Sequence, residues 1–247
     1  MTVLGGKKAV VTGGSRGIGR AIVERLARDG AEVVFGYARD AEAAAEVEKA
    51  VAGAGGTAYA VRADLGEPGA AERLMETAEE RLGAVDILVN NAAASFTPAP
   101  IAETDEELFD RVMAVNARAT FLTMRHAARL MPDGGRIVNI STLNTLRAAP
   151  GIAPYMASKG AIEQLTAAVA QELGPRGITV NTVSPGATDT DLLRGTNPEE
   201  ALTMVASITP LRRLGRPSDI ADVVAFLAGP DGHWITGQNI RATGGLS

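Results

Sequence analysis

The stretch KAVVTGGSRGIGRAIVERLARDG, Lys8 to Gly30, carries an apolar β-branched run, a glycine-rich turn and a helix-periodic segment in immediate succession. KAVVT reads as a buried strand, and AIVERLARDG as a helix that its glycine closes. Between them lies TGGSRGIG, Thr12 to Gly19. Gly13, Gly17 and Gly19 let the backbone turn sharply and approach a ligand closely. The helix start then offers unpaired N–H groups to a pyrophosphate. A glycine-rich turn alone is a weak signal, and its place between an N-terminal strand and a helix gives it weight.

The same alternation continues outward along the chain. EVVFGY, TAYAVRA, DILVN, RIVNI and ITVNTV read as further strands, with a weaker one near QNIRA. AAERLMETAEERLG and AIEQLTAAVAQELG have helical periodicity and end in glycine. Strands alternating with helices predict an α/β, Rossmann-type doubly wound and mostly parallel sheet, with helices on both faces. Such sheets bind ligands outside the carboxyl ends of their strands. No linker, repeat or low-complexity tract divides the chain, so residues 1–247 are read as a single domain. The Ala-rich DAEAAAEVEKAVAGAGG has the Glu and Lys spacing of a solvated helix before a glycine turn. The segment at about 187–213 mixes Gly, Pro and polar residues with Leu192, Leu193, Met204, Val205 and Ile208. It is expected to form a partly helical substrate lid.

Composition narrows the function. Hydrophobic residues make up 46% of the 247 and charged residues 21%, the balance of a chain able to bury a sizeable core. A net charge of −5 without a basic run argues against a nucleic-acid partner. The absence of cysteine excludes disulfides, thiolate metal sites and cysteine nucleophiles, and suits a reducing cytosol. The start MTVLGGKKAVVTGG has no long apolar segment behind a basic one. Neither a signal peptide nor a membrane anchor is read there, and cytoplasmic localisation is the default expectation. His126 and His233 have no second histidine and carboxylate at ligand spacing, so no metal is expected.

The chemistry must then rest on oxygen and nitrogen groups. In YMASKGAIEQL, Tyr155 and Lys159 are four residues apart and project from one helix face. A free phenol has a pKa of about 10, and a nearby ammonium favours the phenolate, which fits the pair for general acid–base work. In dinucleotide folds an acidic residue ends the second strand and would repel a 2′-phosphate. Here Gly36, Tyr37, Ala38 and Arg39 stand at that place, with no carboxylate before Asp40. Arg16 lies in the glycine turn. Two guanidiniums suit a phosphate, so NADP(H) is favoured over NAD(H).

The TGxxxGxG spacing of Thr12 to Gly19 resembles the turn of the short-chain dehydrogenase/reductase family. Further motifs follow in that family's order: Asp64-Leu65, Asn90-Asn91-Ala92-Ala93, Asn116, the Tyr155/Lys159 pair and Ser184-Pro185-Gly186. The resemblance, to a ketoreductase similar to 3-oxoacyl-(acyl-carrier-protein) reductases, implies a set of roles. Gly13, Ser15, Arg16, Gly17, Ile18, Gly19, Tyr37, Arg39, Asp64, Leu65, Asn91, Ala92, Tyr155, Lys159, Pro185, Gly186, Thr188 and Thr190 would hold the cofactor. Tyr155 would exchange a proton with the substrate oxygen, Lys159 would hold the nicotinamide ribose and tune Tyr155, and Asn116 would maintain a water-linked relay. The family places a serine thirteen positions before the tyrosine, and Thr142 stands there with Ser141 just before it. Thr142 is favoured as the hydroxyl partner and Ser141 is the alternative. Thr243 replaces an aspartate common before the closing Gly-Gly.

The expected pocket is bounded by Ala94, Leu143, Asn144, Ile152, Leu192 and Leu193, without a carboxylate-binding arginine. The implied activity is NADP(H)-dependent reduction of a ketone or 3-oxoacyl substrate to the alcohol. The partner is a small carbonyl or alcohol molecule or an acyl thioester. An NAD-dependent alcohol dehydrogenase and a non-catalytic nicotinamide-binding regulator are the alternatives. The resemblance implies a homotetramer, with a dimer as the fallback; apolar residues wrap the helix after Tyr155 more widely than one sheet-facing stripe requires.

Overall fold

The computed structural model describes residues 2–246. Among these, seven strands form one sheet: β1 (Lys8–Val11), β2 (Glu32–Tyr37), β3 (Thr57–Arg62), β4 (Ile87–Asn90), β5 (Arg136–Ile140), β6 (Thr179–Pro185) and β7 (Asn239–Ala242). Their order is β3-β2-β1-β4-β5-β6-β7, and every neighbouring pair is parallel. The helices are α1 (Gly17–Arg28), α2 (Ala41–Gly53), α3 (Ala70–Leu82), α4 (Glu106–Val112), α5 (Ala119–Leu130), α6 (Ala153–Leu173), α7 (Asp191–Thr196), α8 (Glu199–Ile208) and α9 (Pro217–Ala228).

Alternate side chains of each strand point to opposite faces, and in a parallel sheet both faces must be covered. Val11, Phe35 and Val89 pack with Ile22 and Leu26 of α1 and Val224 of α9. Val10, Val34 and Leu88 point the other way, toward Leu74 and Met75 of α3 and Met124 of α5. Burying each such side chain contributes about 1.5–3 kcal/mol, so the two apolar layers lock the strand register.

β1 lies between β2 and β4, so the chain order reverses at β1 and β4. That reversal opens a crevice beyond their carboxyl ends, where Thr12 to Gly19 and Asn90 to Ala93 emerge. Two local features, the start of α1 and the turn around Asn116, differ from the sequence reading. Helix α1 begins at Gly17, inside the glycine turn rather than after it, because Arg16 is its extended N-cap and Gly17 adopts φ 55°. A π-helical turn, Met113–Arg118, joins α4 to α5 and contains Asn116. Within residues 187–213, α7 and α8 account for the helical part, and Thr188 makes a parallel bridge to Gly215.

Candidate active site

The glycine turn is pinned to the end of β4. Thr12 Oγ1 accepts the backbone N–H groups of Asn91 (2.9 Å) and Ala92 (3.0 Å). The Asn91 amide donates to the carbonyls of Thr12 and Gly13, both at 3.0 Å. Asn91 therefore holds the turn with its side chain. A Cβ at Gly19 would sit 2.0 Å from Gly13 O, and one at Gly13, where φ is 67°, would sit 2.9 Å from Ala92 Cα. A Cβ at Gly17 would lie 3.3 Å from Thr190 Cγ2. Glycine keeps this hollow open between the turn and α7.

Further round the rim, Tyr37 ends β2 and Arg39 follows it, exposed like Arg16. Neither arginine side chain makes an ion pair or hydrogen bond with another described residue. Asp40 caps α2 by accepting the Ala43 N–H at 2.9 Å, so its carboxylate is engaged locally. Asp64 accepts the Gly66 N–H at 3.1 Å and faces Arg111 at 3.6 Å, while Leu65 is buried beside it. A pyrophosphate at the helix N-terminus, with the unpaired guanidiniums of Arg16 and Arg39 free to meet a further phosphate, fits these residues.

On the far side, α6 carries Tyr155 in its first turn and Lys159 one turn later. Lys159 is 2% exposed, and its Nζ donates to Ile140 O at 2.7 Å and lies 5.7 Å from the Tyr155 ring centroid. Burial lowers its pKa to about 8. Burial pushes the Tyr155 phenol above the ordinary tyrosine value, and the neighbouring Thr142 hydroxyl offsets only part of that rise. Thr142 Oγ1 also donates to Asn144 Oδ1 (3.2 Å) and accepts the Asn144 N–H (3.3 Å). Ser141 turns away, donating to Glu163 Oε1 at 2.7 Å. Asn116, fully buried in the π turn, accepts the Ala94 N–H at 2.8 Å and donates to Ser158 Oγ at 2.9 Å. Ser158 in turn donates to Tyr155 O at 2.7 Å, so the β4 loop and the first turn of α6 are tied together. A phenol with an ammonium on one side and a hydroxyl on the other can pass a proton to a carbonyl oxygen.

Around this group, Ala94 and Leu143 are buried, and Ile152 is the N-cap of α6. Leu192 and Leu193 sit on α7, and Thr190 caps that helix by accepting the Leu193 N–H at 3.3 Å. Thr188 Oγ1 donates to Gly186 O at 3.0 Å. Gly186 follows Pro185 at the end of β6; a Cβ there would lie 3.0 Å from Thr243 Cα, so Thr243 backs the crevice wall. His126 is remote, facing Glu79 at 3.1 Å, and His233 Nδ1 lies 2.7 Å from Pro230 O.

The family model described as enoyl-(acyl carrier protein) reductase matches residues 13–247. A short-chain dehydrogenase/reductase from Serratia marcescens superposes with a TM-score of 0.94 at 43% identity, covering 99% of each chain. The chain belongs to the short-chain dehydrogenase/reductase family. Versicolorin reductase of Emericella nidulans is 40% identical over 256 residues, 98% of this chain and 96% of the relative. An angucycline C-6 ketoreductase with bound NADP is 45% identical, with a TM-score of 0.92 over 98% of this chain and 96% of that one. The family read from the ordered motifs is thus the family found, and the protein is an oxidoreductase of that class.

In this short-chain dehydrogenase/reductase, two site neighbours escape the sequence reading. Phe96 stacks on Tyr155 with ring centroids 5.2 Å apart and planes 27° apart. With Thr97, Leu108, Gly151 and Pro154 it lines a cleft beside the phenol. Glu163 lies one turn beyond Lys159 on α6 and accepts hydroxyls from the loop after β5. Nothing in the spacing of ASFTPAP marks a stacked ring. Glu163 has a weak signal, the i, i+4, i+8 series with Tyr155 and Lys159.

Proposed function

We propose that the protein is an NADP(H)-dependent ketoreductase whose proton donor is Tyr155. The observation that carries this reading is the phenol flanked by buried Lys159 and by Thr142, across the crevice from the glycine turn. Gly13, Ser15, Arg16, Gly17, Ile18 and Gly19 hold the pyrophosphate, and Arg16 and Arg39, with Tyr37 alongside, take the 2′-phosphate. Asp64 and Leu65 border the adenine; Asn91, Ala92, Pro185, Gly186, Thr188 and Thr190 border the nicotinamide half. The unpaired state of both arginines, the capping role of Asp40 and the NADP held by a ketoreductase 45% identical support this choice over NAD(H). When bound, the nicotinamide supplies the hydride that reaches the carbonyl carbon.

Tyr155 donates its phenolic proton to the carbonyl oxygen as charge builds there, and Thr142 Oγ1 hydrogen-bonds the same oxygen. Lys159 stabilises the phenolate that remains and holds the nicotinamide ribose. Asn116 keeps Ala94 and the first turn of α6 in place and maintains the relay through Lys159. Ser141, committed to Glu163, is the less favoured partner. The substrate is a medium-sized, moderately apolar ketone received among Ala94, Leu143, Asn144, Ile152, Leu192 and Leu193 under the lid at about 187–213. The Phe96 ring beside the phenol, and relatives named for versicolorin and an angucycline, favour a flat cyclic ketone over a 3-oxoacyl thioester. We read the protein as a cytoplasmic homotetramer. Exposed Phe109 and Phe121, on the helices preceding α6, and exposed Ala167 and Ala168 on α6 support assembly, which light scattering measures.

The test is a panel of β-tetralone, ethyl acetoacetate and an acetoacetyl thioester, each with NADPH and NADH, followed by cofactor absorbance. Oxidation of NADPH with β-tetralone and a clear preference over NADH is expected. A preference for NADH, or no turnover of any ketone, contradicts the reading.

A further inference from the structure

Glu163 is absorbed by no step of the reaction above, yet one of its oxygens is the meeting point of the loop that carries Thr142. Its Oε1 accepts the hydroxyls of Ser141 and Thr145, each at 2.7 Å. Ser184 Oγ stands 3.5 Å from the same oxygen, but its proton goes to Asn239 Oδ1 at 2.7 Å. The two strong donors bracket Thr142. Between them the chain makes a 3₁₀ turn, Leu143–Thr145, for which Thr142 is the N-cap. On the strand side Ser141 N donates to Val183 O at 2.8 Å, which fixes where the loop leaves the sheet.

We propose that Glu163 is a positioning residue that sets the Thr142 hydroxyl against the Tyr155 phenol by clamping the loop on both sides of it. The proposal rests on the assignment of Thr142 and Tyr155 made above. Its geometry follows from α6, where Tyr155, Lys159 and Glu163 succeed one another at four-residue intervals on one helix face. Tyr155 faces the substrate, Lys159 holds Ile140 O at the end of β5, and Glu163 holds the next residue and the one four further on. One rigid helix thus carries the acid and also fixes the loop that supports its partner. A carboxylate suits this place because hydrogen bonds to an ionised acceptor are roughly twice as strong as neutral ones. It also gives Ser141 a purpose distinct from catalysis: it is a loop anchor, its hydroxyl directed away from the phenol.

The test uses the full-length enzyme with NADPH bound. The ionisation of Tyr155 is read from phenolate absorbance by difference against Tyr155→Phe, and kcat is read with β-tetralone. The titration needs no turnover. Thr142→Ala and Glu163→Ala are each expected to move the Tyr155 titration to higher pH and to lower kcat by roughly tenfold or more. The double variant goes no further than Thr142→Ala, and Glu163→Gln, which keeps a neutral acceptor, falls between parent and Glu163→Ala. If Glu163→Ala does not fold, Ser141→Ala with Thr145→Val removes the same two bonds from the loop side, and the same pattern is expected. Losses that multiply in the double variant, or a Tyr155 titration that Glu163→Ala leaves in place while Thr142→Ala moves it, overturn the clamp alone. A Thr142→Ala variant with parental titration and kcat instead overturns the assignment of Thr142, and the clamp with it.

Discussion

At the scale of single residues, the buried ammonium of Lys159 has a cost that can be read without any substrate. Its pKa falls from 10.5 to about 8 because burial disfavours the charged form. Below pH 8 the side chain is protonated whether the chain is folded or not, and the full penalty is felt. Between pH 8 and 10.5 the unfolded chain holds a proton that the folded one has released, so stability rises with pH. The rise should total roughly 3 kcal/mol, at 1.36 kcal/mol per pKa unit. Lys159→Met should remove that part of the slope, which denaturant titrations across the window measure; an unchanged slope would place the pKa elsewhere. The neighbouring hydroxyls give a second residue-scale prediction. Thr142 borders the phenol while Ser141 donates to Glu163, which Thr145 also anchors. Thr142→Ala should therefore lower kcat about tenfold more than Ser141→Ala, and the reverse order would exchange their roles. The order of the two hydroxyls in the chain could not decide between them, because it is the direction each side chain takes on leaving β5 that differs.

At the scale of elements, the β1–turn–α1 unit is held so closely to β4 that one methyl group should disrupt it. A Cβ at Gly19 would meet Gly13 O at 2.0 Å and Asn91 Nδ2 at 2.5 Å, and backbone cannot yield as a side-chain tip does. Gly19→Ala is expected to destabilise the fold by about 1–3 kcal/mol, as overpacked sites do, and to weaken NADPH binding. Thermal unfolding with a fluorescence titration of NADPH checks both, and parental values for both would contradict the packing described. Elements of this kind were legible in the sequence. All seven strands fall on the predicted stretches; the five inner ones stood out because a strand covered on both faces is buried almost throughout, whereas the edge strands β3 and β7 are only partly buried and QNIRA gave the weaker signal. The π turn around Asn116 was not legible: a widened turn has no residue signature and is held by what its side chains reach, here Ala94 N and Ser158 Oγ. Phe96 and Glu163 were missed for a related reason, because each gains its place when a loop after β4 or β5 folds back over α6.

At the scale of the whole molecule, the parallel sheet brings two distant parts of the chain to one crevice: the glycine turn after β1 and the Tyr155–Lys159 turn of α6. In the proposed reading cofactor choice is decided on its rim, where Arg16 and Arg39 come from different strand ends. Charge-assisted hydrogen bonds contribute about 1.5–3 kcal/mol each. Arg16→Ala and Arg39→Ala should accordingly each lower kcat/KM with NADPH by roughly 10- to 100-fold and leave the value with NADH nearly unchanged. Equal losses with both cofactors would mean that the arginines support the turn and do not read a 2′-phosphate. The central claim is that this crevice reduces ketones with Tyr155 as the acid. Its most direct test is kcat/KM for β-tetralone with NADPH in the parent and in Tyr155→Phe, with NADPH affinity measured on both. The account predicts a loss of about 10²- to 10⁴-fold, the usual worth of a positioned general acid, with NADPH binding unchanged. Turnover by Tyr155→Phe at the parental rate would contradict it.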